Sequence, residues 1–264
     1  MAGKIVEKLV NIVVNLPLHP YWLEWKKSRE ANERILKHLK GKIIEVGSGD
    51  GSRKAELLSR YSRIKEYIST DFSGWDKGFE KINRRIKKLG VFSAIWAFKK
   101  KVKLDNVCRA EKLPYKNNTF DFHLSFEVLE HIEEPNEYFR EATRVIKKEG
   151  EIIVVVPFLY RVHGGDPEYK SDFFRYSNGF FYSTARKNKL KLVKIYSNTG
   201  FGTTFASLTN QWFIQNIAGS SIPVKIFLIL FSPILFTSTN LIGYLIDISP
   251  DKRFATRQYI VFKK

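Results

Sequence analysis

"IIEVGSGDG", residues 43–51, decides the fold. An apolar run passes through Glu45 into three glycines spaced two apart, Gly47, Gly49 and Gly51. The run from 42 to 48 predicts a buried strand, and a helix follows near 52–60. Glycines between them let the backbone turn tightly and approach a ligand where a Cβ would collide. In open α/β sheets the carboxyl ends of the strands form the ligand crevice. The dinucleotide fingerprint G-x-G-x-x-G needs a glycine at 52 when counted from Gly47, and this chain has Ser52. The G-x-G-x-G pattern weakens a dehydrogenase reading. Alone, it is also an ordinary strand-to-helix turn.

Moving outward, "KEYISTD" (65–71) predicts a second strand that ends on Asp71. An acid at that place accepts hydrogen bonds from both hydroxyls of a ribose. With the glycine turn it predicts an adenosine-containing ligand, although a lone aspartate can equally be a cap. "DNVCRA" (105–110), "FDFHLSF" (120–126), "EIIVVVP" (151–157), "KLKLVKIYS" (189–197) and "RQYIVFKK" (257–264) predict five more strands. The fifth is apolar throughout, as a strand covered on both faces should be. Pro135 and Gly150 bracket a helix expected over 135–148. Alternating strands and helices predict an α/β fold with a parallel sheet wrapped by helices.

Residues 108–157, from "CRAEKLP" through "FDFHLSFEVLEHI" to "EGEIIVVVP", complete an ordered set with "IIEVGSGDG" and "STD". Together they resemble the class I S-adenosylmethionine-dependent methyltransferases of the small-molecule, type 11 kind, over roughly residues 40 to 200. "PFLYRVHGGDPEYKSDFFRYS" is more loosely similar to a subgroup associated with surface-polysaccharide and glycan biosynthesis. The resemblance implies a Rossmann-like seven-stranded sheet with helices on both faces. It implies S-adenosylmethionine as cofactor. Glu45, Gly47, Ser48, Gly49 and Gly51 would line its methionine end, Asp71 would hold the ribose, and Phe72 would pack beside the adenine. Ala110 and Glu111 would edge the adenine pocket, and Phe126 and Glu127 would border the sulfonium. The family usually has an acid just before "AE"; this chain has Arg109, a cation that cannot accept a hydrogen bond from the adenine amino group.

The stretch "VHGGDPEYKSDFFRYS" (162–177) follows the fifth strand, so it belongs at the same crevice. A methyl transfer to a hydroxyl needs an aligned acceptor and a proton acceptor. His163, with an intrinsic pKa near 6.5, is the candidate base. Asp166 or Asp172 could orient it or replace it. Arg175 could clamp a phosphate or carboxylate, and Tyr176 could wall the pocket. The bland alternative is a surface turn at Asp166-Pro167 and a local Asp172–Arg175 pair. His131, in "LEHI", is expected to hydrogen-bond locally. No His/Cys/Asp spacing suggests a metal.

The 264 residues are 44% hydrophobic, which excludes disorder, and the single Cys108 excludes an intrachain disulfide. A reducing, cytoplasmic compartment fits. The net charge of +18 attracts polyanions: anionic lipid, nucleic acid or phosphorylated substrates. "KIVEKLVNIVVNLPL" (4–18) is too interrupted for a signal peptide and has apolar residues at amphipathic helix spacing. Residues 1–40 are therefore expected to form a helical cap, and 41–264 the main domain.

Two insertions are expected within it. The first, at 74–104, carries ten Lys/Arg with interleaved aromatics. The second, at 201–250, includes "IFLILFSPILFTSTNLIGYLI" (226–246), 21 residues without a charge. Pro233 and the polar Thr237–Asn240 favour two short apolar helices there over one straight span. A basic surface beside apolar helices suits peripheral attachment at the inner face of an anionic membrane. The expected activity is O-methylation of a glycan, lipid-linked or small-molecule acceptor. RNA is the rival acceptor, favoured by the basic aromatic segment and opposed by an apolar longer insertion. A non-catalytic cofactor-binding protein of the same fold is the third reading.

Overall fold

The structure, a computed structural model, describes residues 14–49, 51–72, 104–163 and 170–264. The basic insertion (but for Leu104), most of the 4–18 stretch and Asp166 lie outside the described residues. Seven strands form one sheet: β1 (Gly41–Val46), β2 (Ile64–Asp71), β3 (Asn106–Val107), β4 (Phe120–Phe126), β5 (Ile146–Pro157), β6 (Lys191–Tyr196) and β7 (Arg257–Lys263). Their order across the sheet is β3-β2-β1-β4-β5-β7-β6. All pairs from β3 to β5 are parallel, and β7 lies antiparallel between β5 and β6.

The helices are α1 (Trp22–Leu36), α2 (Ser52–Arg60), α3 (Pro135–Val145), α4 (Asn178–Lys187), α5 (Phe201–Gly219) and α6 (Ile222–Ile246). The chain reverses direction across the sheet between β1 and β4. Ligands of open α/β sheets bind at such a switch point, beyond the carboxyl ends.

The two-residue side-chain period of a strand builds two cores from the same residues. Ile44, Ile152, Val154 and Ile260 face one way, onto Tyr138 and Phe139 of α3 and Phe181 of α4. Their neighbours Ile43, Ile153, Val155 and Tyr259 face the other way, onto Ala31 and Ile35 of α1 and Leu57 of α2. This is why β5 could be apolar throughout. The expected helix over 135–148 stops three residues earlier, at Val145. Ile146 is already extended and pairs with Phe120 across β4, so its apolar side chain is used by the sheet.

The apolar insertion is two helices, but its 226–246 stretch lies within one continuous 25-residue helix rather than two short ones. Pro233 cannot donate to the Ile229 carbonyl, which would normally break the helix. The Ser232 hydroxyl donates to that carbonyl instead, at 2.8 Å. The vacated acceptor is satisfied and the helix runs on.

One stripe of α6, Phe236, Thr239, Asn240 and Gly243, is buried. Gly202 of α5 and Gly243 meet backbone to backbone: a Cβ on Gly202 would stand 2.1 Å from the Gly243 carbonyl oxygen. Asp247, just past α6, accepts from the backbone N–H of Gly200, Gly202 and Thr203 at 2.9–3.1 Å. A carboxylate at a helix N-terminus satisfies orphan donors and complements the dipole. This locks the end of α6 to the start of α5. Asn240 donates to the carbonyls of Pro17 (2.6 Å) and His19 (2.9 Å), joining the segment before α1 to the same unit.

Candidate functional site

The turn after β1 is held open by backbone conformation. Gly47, Gly49 and Gly51 have φ of 73°, 56° and 70°, a region that disfavours every residue with a Cβ. A Cβ on Gly47 would also strike Val128 at 2.1 Å. Ser48 ties the turn to β2: its N–H donates to the Thr70 carbonyl (2.9 Å), and its hydroxyl accepts from the Thr70 N–H (3.1 Å). Asp71, at the end of β2, accepts from the Gly49 N–H at 2.6 Å and from the Phe72 N–H at 2.6 Å. The carboxylate expected at the ribose and the turn expected at the methionine end are thus one hydrogen-bonded unit.

Glu45 is buried beneath this turn. It accepts from Arg53 Nε and from the Tyr67 hydroxyl, each at 2.8 Å. Burial raises its pKa, against the pull of Arg53. The Arg53 guanidinium also lies over the Phe126 ring, 3.6 Å from its centroid. Arg53 therefore joins Glu45 to Phe126, two of the residues expected at the cofactor, and sequence reasoning missed it. A signal existed: a cation in the first turn of a helix opposes the dipole and calls for a local partner.

At the adenine edge Phe72 is exposed and Ala110 buried. Arg109 donates to Glu111 at 3.0 Å and stands 5.7 Å from the Phe72 ring centroid. The unexpected cation is thus neutralised by the neighbouring acid and borders the aromatic face.

The other end of the crevice is a charge cluster in which Glu24 and Glu130 are buried and Glu127 and Arg257 half-buried. Glu127 follows β4 with φ of 55°. Antiparallel β7 begins where β5 ends, so Arg257 stands opposite Pro157 at the carboxyl edge. Its guanidinium donates to Glu24 of α1 at 2.6 Å and lies 3.8 Å from Glu127. Burial raises the Glu127 pKa well above the ordinary carboxylate range, with Arg257 opposing and the nearby Glu130 adding to the rise.

Glu130 is wholly buried, and neither carboxylate oxygen has a hydrogen-bond partner among the described residues. His131 and His163 surround it, their rings edge to face at 5.1 Å. Burial lowers the His163 pKa, with Asp172 opposing. Burial works to raise Asp172, but Arg175 and the His163 N–H outweigh it and hold it low. Arg257, Glu24 and Glu130 carried no sequence signal, because strands and helices far apart in the chain bring them together.

Of the 162–177 stretch, residues 162–163 and 170–177 are described, and not all of their polar groups are free for an acceptor. Arg175 is no free clamp. It donates to both Asp172 oxygens (2.5 and 2.8 Å) and to the carbonyls of Arg161 (2.9 Å) and Phe174 (2.8 Å). Tyr176 is in the core rather than at the pocket wall. Its hydroxyl donates to the Leu129 carbonyl at 3.0 Å, bracing the short 3-10 turn Leu129–His131 from behind. His163 and Asp172 do converge: Asp172 accepts from the His163 N–H at 2.7 Å and lies 3.4 Å from its Nδ1.

A mostly parallel sheet with a glycine turn after its first strand, an acid ending its second, and a switch point between β1 and β4 is the arrangement of nucleoside-cofactor domains. Residues 44–154 match the methyltransferase domain family Methyltransf_11. Over that stretch the chain is similar to the S-adenosylmethionine-dependent methyltransferases. It is 27% identical over 150 residues to a ubiquinone/menaquinone biosynthesis C-methyltransferase, UbiE, of Rickettsia typhi, covering 55% of this chain and 53% of that one. It is 36% identical over 76 residues to an uncharacterized protein of Methanocaldococcus jannaschii, covering 27% of this chain and 37% of that one. The chain thus spans from about a third to about half of these curated relatives. An S-adenosylmethionine-dependent methyltransferase from Mesorhizobium loti shares the fold, with TM-score 0.51, 13% identity, and 93% and 98% of the two chains covered.

Proposed function

We propose that the protein transfers a methyl group from S-adenosylmethionine to a hydroxyl of an amphipathic acceptor: a glycan, a lipid-linked sugar or a small molecule. One observation carries this: a preformed amino-acid and ribose cradle and a partly buried proton-accepting cluster share one carboxyl edge of the sheet. At the cradle, Arg53, held in place by the buried Glu45, offers a cation to the carboxylate of a methionine moiety. Asp71 offers its carboxylate to ribose hydroxyls. The cofactor supplies a methyl group already activated by a positive sulfur.

Glu127, beside Phe126, is the group placed to take the acceptor proton. Burial raises its pKa toward neutrality, where a carboxylate is an effective base. The role first expected of His163 fits less well, because its two ring nitrogens face Asp172 and Glu130.

An amphipathic acceptor is supported by α6. By length and composition it could cross a membrane, and little of it is buried. Phe227 is 65% exposed and Leu230 73%. Such a face on a chain of charge +18 suits peripheral contact with anionic lipid at the cytoplasmic side. Replacing both Phe227 and Leu230 with lysine should leave the fold intact and cut co-sedimentation with anionic vesicles at least tenfold. Unchanged sedimentation would remove the membrane part of the reading.

The activity itself is tested with methyl-labelled S-adenosylmethionine and fractionated cell extract. Label in the lipid or glycan fraction supports the proposal. Label in RNA points to the rival acceptor, and label nowhere, with S-adenosylhomocysteine still bound, to a non-catalytic binder.

A further inference from the structure

We propose that Glu130, His131 and His163 form a site for a divalent transition-metal ion of the zinc class, at the acceptor end of the crevice. One ligand atom from each lies within 4.8 Å of the other two. Glu130 Oε1 is 3.8 Å from His131 Nε2 and 3.6 Å from His163 Nε2. Those separations are too long for hydrogen bonds. Two ligands bound at about 2.1 Å to a tetrahedral ion stand roughly 3.4 Å apart. The two carboxylate–imidazole separations are within a few tenths of an ångström of that value, and the two imidazoles are no more than 4.8 Å apart.

Proton placement points the same way. His131 Nδ1 is 2.6 Å from the Ser171 carbonyl, which can only accept, so Nδ1 carries the proton. The His131 Nε2 lone pair is then left facing Glu130. His163 Nδ1 faces Asp172 Oδ2 at 3.4 Å and Arg175 Nη2 at 3.5 Å. Both hydrogens of that Arg175 nitrogen are engaged, by Asp172 and by the Arg161 carbonyl. Asp172 Oδ2 and Arg175 Nη2 still compete for Nδ1, and the tautomer protonated at Nδ1, which an ion would draw out, turns the His163 Nε2 lone pair to Glu130.

With both rings neutral and protonated at Nδ1, two imidazole lone pairs and a buried carboxylate converge on one point. A cation resolves that arrangement. Metal-bound histidines characteristically donate their other ring N–H to a carbonyl or carboxylate, which fixes ring and tautomer. Ser171 and Asp172 occupy those two positions. Two imidazoles and one carboxylate suit zinc, iron or nickel better than magnesium or calcium. Sequence spacing could not show the site, because His163 lies 32 residues beyond His131.

Three protein ligands leave a position open for a further oxygen. Glu127 is close enough for its titration to feel both Glu130 and His163. An ion here would hold an acceptor oxygen and lower its pKa beside the proposed base. That consequence rests on the methyl-transfer reading; the site itself rests on ligand geometry.

The test is zinc titration by calorimetry into tag-free, chelator-stripped, full-length protein. A parallel cobalt(II) titration reads the ligand-field spectrum. Wild type should bind one ion and give an imidazole-type cobalt spectrum. Glu130→Gln, nearly isosteric, and His163→Ala should each weaken binding by more than about a hundredfold. Asp172→Asn, a positioning change, should weaken it by about tenfold or more. Absence of stoichiometric binding to wild type would overturn the proposal, leaving a protonated Glu130 as the answer to the cluster. Equal zinc affinity in folded wild type and Glu130→Gln would overturn it too, by placing the ion elsewhere. S-adenosylhomocysteine binding, measured on the same preparations, reports separately on the methyltransferase reading.

Discussion

At the glycine-rich end of the crevice the binding groups are mostly backbone, set by positive φ at Gly47, Gly49 and Gly51 and tied to Asp71 and Ser48 over short distances in sequence. At the acceptor end they are buried and half-buried side-chain charges from α1, the β4 and β5 loops and β7. The first end costs little to build, because backbone donors and acceptors there pair with one another. The second is held against desolvation, and each charge depends on its neighbour. The two ends should therefore fail differently: one through ligand affinity, the other through stability and pH.

The sharpest break in that comparison comes from Arg257. It is the one ion-pair partner of Glu24 among the described residues, and it opposes the rise of Glu127. Removing one partner of a buried pair costs roughly 3–5 kcal/mol, because a charge is left uncompensated. Arg257→Met should lose about that much in urea unfolding at pH 8. A loss below about 1 kcal/mol would mean that the acceptor end does not depend on its charges.

Next in size is a pH effect at Glu130. Burial raises its pKa from the ordinary 4.5 to about 7 in the fold. Between those values the folded state binds more protons than the unfolded one, so this group's contribution to stability falls as pH rises. Glu130→Gln cannot ionise and escapes that loss. In the presence of chelator it should be more stable than wild type at pH 8, by on the order of 2 kcal/mol, and about equal at pH 5. Parallel stability–pH curves for the two proteins would show that Glu130 is not a strained carboxylate. Saturating zinc should reverse the ranking at pH 8, since only wild type gains from binding.

The same contrast explains what the sequence could disclose. The glycine turn, Asp71 and the seven strands along the chain follow from local rules, since glycine spacing and apolar periodicity act over a few residues, whereas the antiparallel β7 was not foreseen in the parallel sheet expected. The Arg53–Glu45 pair was within reach, because a cation at a helix start needs an explanation. The acceptor end was opaque. Glu24 and Arg257 are 233 positions apart and meet only because antiparallel β7 begins where β5 ends. His163 was singled out for its chemistry, yet its surroundings depend on Glu130, which looks like any other acid in "LEHI". Tyr176 and Arg175 looked like substrate groups because sequence cannot tell a crevice-facing polar group from one that is internally satisfied. The continuity of α6 through Pro233 turned on a single serine hydroxyl, which no periodicity reveals.

The smallest expected effect is also the cleanest separator of the two ends. Asp71→Ala removes the acceptor of the Gly49 N–H and the carboxylate offered to a ribose. Gly49 lies at the crevice, where water can replace the lost acceptor, so global stability should fall by less than about 1 kcal/mol. S-adenosylhomocysteine affinity should fall at least about tenfold, equivalent to roughly 1.4 kcal/mol. Zinc affinity and the pH dependence of stability belong to the other end and should not move. If Asp71→Ala instead lowers zinc affinity along with nucleoside affinity, the ends are coupled. Val128 would then be the natural conduit, because it packs against Gly47 on one side and is flanked in sequence by Glu127.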